Sequence, residues 1–365
     1  MKIVIIADSI DDQYAGVFTY AKNLINMILQ NDAINEYIFI HTKKNDFFKN
    51  TNEIIVRDIR FIPFYGTFRK FFILPWILTK LHPDIVHDLS HMGPFLWPGW
   101  YKKVITVHDC TPLLFPHLHP IRSVWGHRLF WKTILRHCNH LIAVSSDTKN
   151  DLIALFPFTK HKITVIPLAA EDSREEVTET QMQPIQKMSP YILFVGTLEP
   201  RKNISLLIEA FEKLHFRYQI PHYLLLAGKW GWKSRSIRRK LQKSPLQHKM
   251  IHLEYVSPAV RTMLYRQADV FVYPSLYEGF GLSVLEAMQE GCPVIASNVP
   301  GVRTTIQTGG LLFESNSVEE LVQAIYTVLR NSIIRKKMVS AGKKVVATYS
   351  WRNTALQTIS LYHHL

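Results

Sequence analysis

Two glutamates, a pair of adjacent cations and one histidine are the side chains with which this 365-residue chain could do chemistry. Glu278 and Glu286 stand eight positions apart in Pro274-Ser-Leu-Tyr-Glu278-Gly279-Phe280-Gly281-Leu282-Ser-Val-Leu-Glu286-Ala-Met288. Arg201 and Lys202 are neighbours in Gly196-Thr-Leu-Glu-Pro-Arg201-Lys202-Asn203, and His108 precedes Asp109 in Val107-His-Asp-Cys-Thr-Pro112. An ionised Glu accepts paired hydrogen bonds, which suits the hydroxyls of a sugar or a ribose. Guanidinium and ammonium groups form charge-assisted bonds to phosphate oxygens and can neutralise a departing diphosphate. The combination points to a phosphorylated, hydroxyl-rich ligand. Each part also has a bland reading: two surface glutamates, a solvated Arg-Lys loop, a plain loop histidine. His108-Asp109 could be an acid/base pair, but adjacent residues seldom face each other, and a polarising or orienting His is the preferred reading.

The elements around these residues favour the functional reading. Asp269-Val-Phe-Val-Tyr273 has the β-branched and aromatic content of a buried strand, which Pro274 ends. Gly279 and Gly281 permit a tight turn, and from Leu282 the period is helical, with Leu282, Leu285 and Met288 on one face. Gly291-Cys-Pro293 stops that helix and Val294-Ile-Ala begins another strand. A helix N-terminus behind a glycine loop suits a phosphate. On one continuous helix, at ~100° per residue, the two glutamates would lie ~80° and about two turns apart. With Glu278 in the loop, the pair instead brackets an elongated ligand.

Strand patterns at Lys2–Ala7, Glu36–His41, Glu53–Asp58, Asp84–Asp88, Lys103–Val107, Leu141–Val144 and Lys162–Ile166 alternate with helical periods at Val17–Gln30, Phe68–Leu81, Ile121–His137 and Asp147–Phe156. Residues 169–189 are polar, acidic and without period, so they read as a linker. The alternation restarts at Tyr191–Val195 and continues through Tyr223–Ala227, Met250–Glu254 and the helix Pro258–Gln267. Helices follow at Val318–Arg330, Ile334–Thr348 and Trp351–Leu361. Repeated βα units imply an α/β chain with two Rossmann-like domains facing a cleft, 1–168 and 190–350. The stretch 351–365 is expected to form a C-terminal helix that packs back on the first domain. In parallel sheets ligands sit beyond the carboxyl ends of strands, which selects Tyr14-Ala-Gly16, His108-Asp109 and Ser145-Ser146.

Composition narrows the class. The net charge of +14 is spread over both halves, 19 Lys/Arg against 13 Asp/Glu in residues 1–170 and 24 against 16 from residue 171 on. That balance fits anionic small molecules, an anionic membrane surface or nucleic acid. The most apolar run, Phe71–Leu78, is far shorter than the ~20 residues of a membrane span, and the N-terminus reads as a strand, not a leader. Cys110, Cys138 and Cys292 form neither a disulfide framework nor a zinc pattern, so a reducing cytoplasm is expected. Two segments of the first half, 64–80 and 97–103, mix large apolar groups with cations and suit docking at the inner face of the cytoplasmic membrane. The segment 228–249 carries eight Lys/Arg and no acid, which reads as a solvated helix face able to approach anionic lipid. No nucleic-acid recognition module accompanies it, so no nucleic-acid partner is expected.

The loop-helix Pro274–Met288, preceded by Gly196–Asn203, resembles the retaining glycosyltransferases of the GT-B fold, family 4 (glycosyl transferases group 1). The likeness covers essentially the whole chain and is most specific in its second half. The resemblance implies a nucleoside-diphosphate sugar as co-substrate, with no other cofactor and no metal, held by the second domain. It implies a glycan or lipid-linked acceptor on the first. Arg201 and Lys202 would hold the diphosphate, and Glu278, Gly279, Phe280 and Gly281 would contact the donor sugar. Leu282 would lie against the nucleotide, Glu286 would bond the ribose and Val256 would touch the base. His108 matches the family's first-domain histidine near the transferred sugar, and Gly16 is what carries over from its N-terminal glycine loop. The chain departs from the family at Ala15-Gly16-Val17-Phe18, at Arg303 where an acid is usual, and at Trp351-Arg352, which also lacks the acid. The expected activity is transfer of a hexose or deoxyhexose in cell-surface polysaccharide or glycoconjugate synthesis. The rival readings are a nucleotide-sugar epimerase or phosphorylase on the same fold, and a non-catalytic basic protein that binds lipid or nucleic acid.

Overall fold

The computed structural model describes residues 1–12, 15–59, 61–62, 64–171 and 188–365. It divides into two compact units: Met1–Pro116 with Ile121–Leu168 and Ser350–Leu365, and His117–Pro120 with Ala169–Tyr349. Each is built on one parallel sheet.

The first unit holds β1 (Lys2–Ile6), β2 (Glu36–His41), β3 (Asn52–Ile55), β4 (Ile85–Asp88), β5 (Lys102–Val107), β6 (His140–Ala143) and β7 (Ile163–Val165). Their order is β3-β2-β1-β4-β5-β6-β7, and every pairing is parallel. The second unit holds β8 (Tyr191–Val195), β9 (Tyr223–Ala227), β10 (Met250–Leu253), β11 (Val270–Tyr273), β12 (Val294–Ser297) and β13 (Leu311–Phe313), in the order β10-β9-β8-β11-β12-β13, again all parallel. Central strands read as unbroken apolar runs because helices cover both faces: all five residues of Tyr191–Val195 are buried. In each sheet the strand order reverses once, between β1 and β4 and between β8 and β11. Loops that follow such neighbours diverge and leave a crevice at the strands' carboxyl ends.

Several expectations are refined. The helix read over Phe68–Leu81 is three pieces, Tyr65–Phe68, a π-helical turn Arg69–Ile73 and Leu74–Leu81. The helix over Ile121–His137 is likewise interrupted by a π-helical turn at His127–Trp131. The wider turn lets Arg69 and Phe71, two positions apart, both face inward, which a regular α turn forbids. Arg69 Nε donates to Val56 O (2.7 Å) and its two Nη atoms clamp the carboxylate of Asp8 (2.7 and 2.9 Å). Arg69 is therefore an internal cation and not part of a docking face. Lys103 is corrected in the same way: it is buried and donates to Trp97 O (2.9 Å).

The linker begins later than residue 169. Ala169 and Ala170 are buried, and Glu171 pairs with Arg261 (2.9 Å). Residues 172–187 of that stretch lie outside the described residues. The last helix, Trp351–His363, belongs to the first unit, where it packs on the helix Ala15–Asn31. Tyr362 Oη and His87 Nδ1 are 2.6 Å apart in the core, Thr354 Oγ1 donates to Pro167 O (2.7 Å), and Arg352 Nε donates to Asn31 Oδ1 (3.2 Å).

Candidate active site

The reversal of strand order in the second unit decides where its chemistry sits. β8 leads into Gly196–Asn203 and β11 into Pro274–Gly281, so the two sequence motifs flank one crevice although about 75 residues separate them. Leu276 N donates to Arg201 O (2.8 Å), which ties the loops together through the backbone.

Glu278 is the hub. Its Oε1 accepts from Lys202 Nζ (2.6 Å) and its Oε2 lies 2.8 Å from Arg201 Nη1. Lys202 also donates to Tyr273 Oη (2.5 Å), and Arg201 reaches Glu199 Oε1 through Nε (3.0 Å) and Nη2 (2.8 Å) and Tyr277 O through Nη1 (3.0 Å). The glutamate is only 7% exposed. Burial alone would push its carboxyl up, but Arg201 and Lys202 outweigh that and hold it at about 2. Lys202, with burial dominant over one shared carboxylate, is displaced downward, and burial raises Glu199 against the pull of Arg201. The asymmetry follows from count: Glu278 pairs with two cations, Glu199 with Arg201.

The glycines beside Glu278 keep it in place. Gly281 takes φ +95° as the N-cap of the helix Leu282–Gln289. The first amide to find a carbonyl there is that of Val284, bonded to Gly281 O (3.0 Å), so the N–H groups of Leu282 and Ser283 precede the helical ladder. Gly301, at φ +76°, packs so closely that a Cβ would stand 2.1 Å from Glu278 O. Phe280 is buried with its ring edge-on to Tyr349 (5.6 Å), and its carbonyl accepts from Thr305 Oγ1.

Glu286, on the buried side of the same helix, is held by a second set of partners. Tyr265 Oη donates to its Oε2 (3.2 Å), and Arg261 Nη2 lies 3.3 Å from Oε1 while bonding Glu171. Burial raises the Glu286 carboxyl, opposed by Arg261. Val256 stands just past β10, half-buried, one residue before Ser257, which caps the helix Pro258–Gln267. The structure thus joins Arg201, Lys202, Glu278 and the turn Gly279–Leu282 in one cluster and gives Glu286 its own. Glu199, Tyr273, Arg261 and Tyr265 were not singled out from the sequence. Arg261 and Tyr265 share a helix face at i, i+4, which is the signal that could have found them.

His108 and Gly16 belong to the first unit. His108 Nε2–H donates to Leu89 O (2.9 Å), which leaves Nδ1 as an acceptor. Burial lowers its pKa despite that bond and Asp109, so the ring is neutral at pH 7. Asp109 turns to Thr111 instead, accepting from its N (3.0 Å) and Oγ1 (2.6 Å). Gly16 is the second residue of the helix Ala15–Asn31 and is exposed.

Comparison with known proteins agrees with this geometry. Residues 177–345 match the family model for glycosyl transferases group 1, and residues 14–174 match that for glycosyltransferase family 4. The chain is 30% identical over 282 residues to the O-antigen chain mannosyltransferase B of Escherichia coli, covering 75% of this chain and 74% of that one. It is 28% identical over 278 residues to the O-antigen chain mannosyltransferase RfbU of Salmonella typhimurium, covering 76% and 73%. Among solved structures it is similar to Anabaena HepE in complex with UDP and glucose (TM-score 0.78, 15% identity, 100% of both chains). It is also similar to WaaG, a glycosyltransferase involved in lipopolysaccharide biosynthesis (TM-score 0.77, 14% identity, 99% of both). Two parallel α/β units, the charge cluster at the switch of the second and these matches have one reading: the chain belongs to the group 1 glycosyltransferases of the GT-B fold, family 4.

Proposed function

We propose that the protein is a retaining, metal-independent hexosyltransferase that moves a sugar, mannose first among the candidates, from a nucleoside diphosphate to a glycan or lipid-linked acceptor. The observation that carries this reading is the Arg201–Glu278–Lys202 cluster at the β8/β11 switch. Two cations fixed by the buried carboxylates Glu278 and Glu199 form a rigid receptor for the negative charge that develops on a departing diphosphate. The amides at Leu282 and Ser283 add to it. Mannose comes from the names of the O-antigen relatives.

Glu278 is a poor candidate for nucleophile or base. Its basicity is that of a carboxyl near pH 2, and both oxygens are engaged by cations. The bond from the anomeric carbon to the diphosphate therefore breaks as the acceptor oxygen bonds to the same face. The acceptor's proton passes to a diphosphate oxygen. His108 Nδ1, an acceptor, orients a sugar hydroxyl. The donor is a co-substrate, and no further cofactor is invoked.

The work place is the inner face of an anionic membrane. Among the described residues no helix is long and apolar enough to cross a membrane. Phe68, Phe72 and Trp76, each more than half exposed, recur every fourth residue across the three consecutive helical pieces between Tyr65 and Leu81, and Lys80 stands 3.6 Å over the Trp76 ring. Phe72 continues onto exposed Trp97 (6.1 Å). Aromatic rings with flanking cations are the composition of an interfacial face.

A panel of nucleotide sugars tested by thermal shift identifies the donor, since ligand at 100 times its Kd stabilises by about 2.7 kcal/mol. Release of nucleoside diphosphate on adding acceptor then reports transfer. Arg201→Ala is expected to cut kcat by about 10²–10³; full activity of that variant sinks the site assignment.

A further inference from the structure

The second unit carries a groove that takes no part in the donor cluster. It lies on the flank of the sheet where β10 is the edge strand, and its volume is about 270 Å³. Leu241 of the helix Arg235–Lys243 and Met250, the first residue of β10, give it apolar surface. Trp230 and His252 add two half-buried rings with centroids 4.4 Å apart. Arg238 holds its guanidinium 4.4 Å over the indole, and the side chains of Gln242 and Gln247 complete the lining. The rings are fixed from behind. His252 Nε2–H donates to Gly228 O (2.7 Å), and on either side of Trp230 the backbone is pinned, with Leu198 N donating to Lys229 O (2.9 Å) and Gly231 N to Leu198 O (3.0 Å). The cluster of Arg201, Lys202 and Glu278 stands instead at the carboxyl ends of β8 and β11, and the two sets share no residue.

Charge and ring chemistry select the ligand. Residues 213–253 hold ten Lys/Arg and no Asp/Glu. Lys213, Arg217 and Lys240 find carboxylates outside that run. Arg238 has no ion pair among the described residues and rests on an indole face, so its charge is open to an anion. Indole and guanidinium faces stack on nucleobases, worth about 1–3 kcal/mol per base, and Arg bonds phosphate through its fork of N–H groups. A carboxamide presents a donor and an acceptor together, as a base edge requires. Sites for drug-sized ligands run from about 300 to 1,000 Å³, so a groove just below that range suits one base. A base face, a base edge and a phosphate each have a partner here.

The same loop touches the donor site. Leu198, bridged to Trp230, stands three positions before Arg201. Gly231 packs so closely on this stretch that a Cβ would stand 2.7 Å from Thr197 Cγ2 and 3.0 Å from Glu199 Cβ, and Glu199 pairs with Arg201 (2.8 Å). A ligand that shifts Trp230 therefore shifts the support of the Arg201 guanidinium.

We infer that this groove is a second, regulatory nucleotide site. It takes a nucleoside mono- or diphosphate, with the base against Trp230 and the phosphate on Arg238, and its occupancy is felt at Arg201. The inference rests on the glycosyl-transfer reading above only for the role of Arg201 in donor binding.

The test uses the full chain and equilibrium dialysis with the mono- and diphosphates of the common nucleosides. Wild type is expected to bind two equivalents per chain. Arg238→Glu/Gln242→Glu, at exposed helix positions, should keep the wild-type Tm and a donor Kd within twofold, while affinity at the second site falls at least tenfold. Arg201→Ala should lose the other equivalent. In transfer assays with donor varied, the nucleoside monophosphate should inhibit wild type by a mixed pattern that lowers kcat at least threefold, and the groove variant by competition alone. A single equivalent in wild type overturns the second site. So does an equal loss of donor affinity in the groove variant, which would make the groove part of the donor site. Purely competitive inhibition of wild type overturns the regulatory role. Oligouridylate bound at least tenfold tighter than UMP would give the groove to single-stranded RNA and overturn a mononucleotide ligand. Wild type that binds no nucleotide sugar, yet holds one nucleotide that survives Arg201→Ala and is lost in the groove variant, keeps the groove and fells the glycosyl-transfer reading.

Discussion

Lys202 Nζ lies 2.6 Å from Glu278 Oε1, across 76 residues of sequence, and both side chains are almost wholly buried. Such a pair is weak support for stability as a whole, because desolvation of both charges offsets their attraction. Breaking it is another matter. Glu278→Gln leaves Arg201 and Lys202 buried with half their compensation, and a loss of about 3–5 kcal/mol in urea unfolding is expected at pH 7. The sign of the pH effect follows from the depressed folded-state value. The stability that Glu278 supplies is complete above its unfolded pKa of about 4.3 and disappears as pH falls toward about 2. The gap between wild type and Glu278→Gln should therefore narrow between pH 5 and 2.5; a constant gap would show that the carboxylate is not held by its cations.

Arg261 joins Glu171 to Glu286 and is the cation that keeps Glu286 from rising further. If Glu286 bonds the donor ribose, as the resemblance implies, Arg261→Met lets that carboxyl protonate at higher pH and weakens the bond. Donor KM is expected to rise about tenfold at pH 6 and less at pH 8.5, with kcat nearly unchanged. A pH-independent increase would instead indicate lost packing.

The aromatic stripe of the first unit makes a separable prediction. Phe68, Phe72 and Trp76 are exposed, so Phe68→Ser/Phe72→Ser/Trp76→Ser should fold with an unaltered Tm. Co-sedimentation with phosphatidylglycerol vesicles should fall at least tenfold. Raising salt to 0.5 M weakens wild-type binding only in part, since the cations are screened and the rings are not. Undiminished binding by the triple variant removes the stripe from the docking face.

His41, fully buried, sits between two carboxylates, with Nδ1 3.2 Å from Asp11 Oδ2 and Nε2 2.9 Å from Glu53 Oε2, and its ring 4.3 Å from that of Phe48. Burial opposes its charge, but Asp11 and Glu53 prevail and raise its pKa. A raised histidine contributes stability that is full below the unfolded value of about 6.5 and is lost as pH climbs through the folded value. Wild type should lose stability as pH rises above 6.5, and His41→Asn should show a flatter profile. Parallel profiles would place the charge elsewhere.

The parts of this molecule that were legible in sequence are those that local periodicity encodes. Glu36–His41, Tyr191–Val195, Tyr223–Ala227, Pro258–Gln267 and Val318–Arg330 have the bounds their patterns imply. What stayed hidden depends on strand order. Nothing near Arg201 or Lys202 announces Glu278 as their ion-pair partner, because the crevice exists only once β11 inserts beside β8. Arg69 and Lys103 were misread for a related reason. A cation among apolar residues looks like a snorkelling surface group until an Asp8 carboxylate or a Trp97 carbonyl is found waiting inside.

The return of residues 351–363 to the first unit has a consequence for biosynthesis. Tyr362 completes the hydrogen-bonded core around His87, and Trp351 and Thr354 pack on residues laid down hundreds of codons earlier. A ribosome releases the whole second unit before that helix emerges. The first unit, though translated first, is finished last, and the second can fold independently while the first waits with its helix Ala15–Asn31 uncovered.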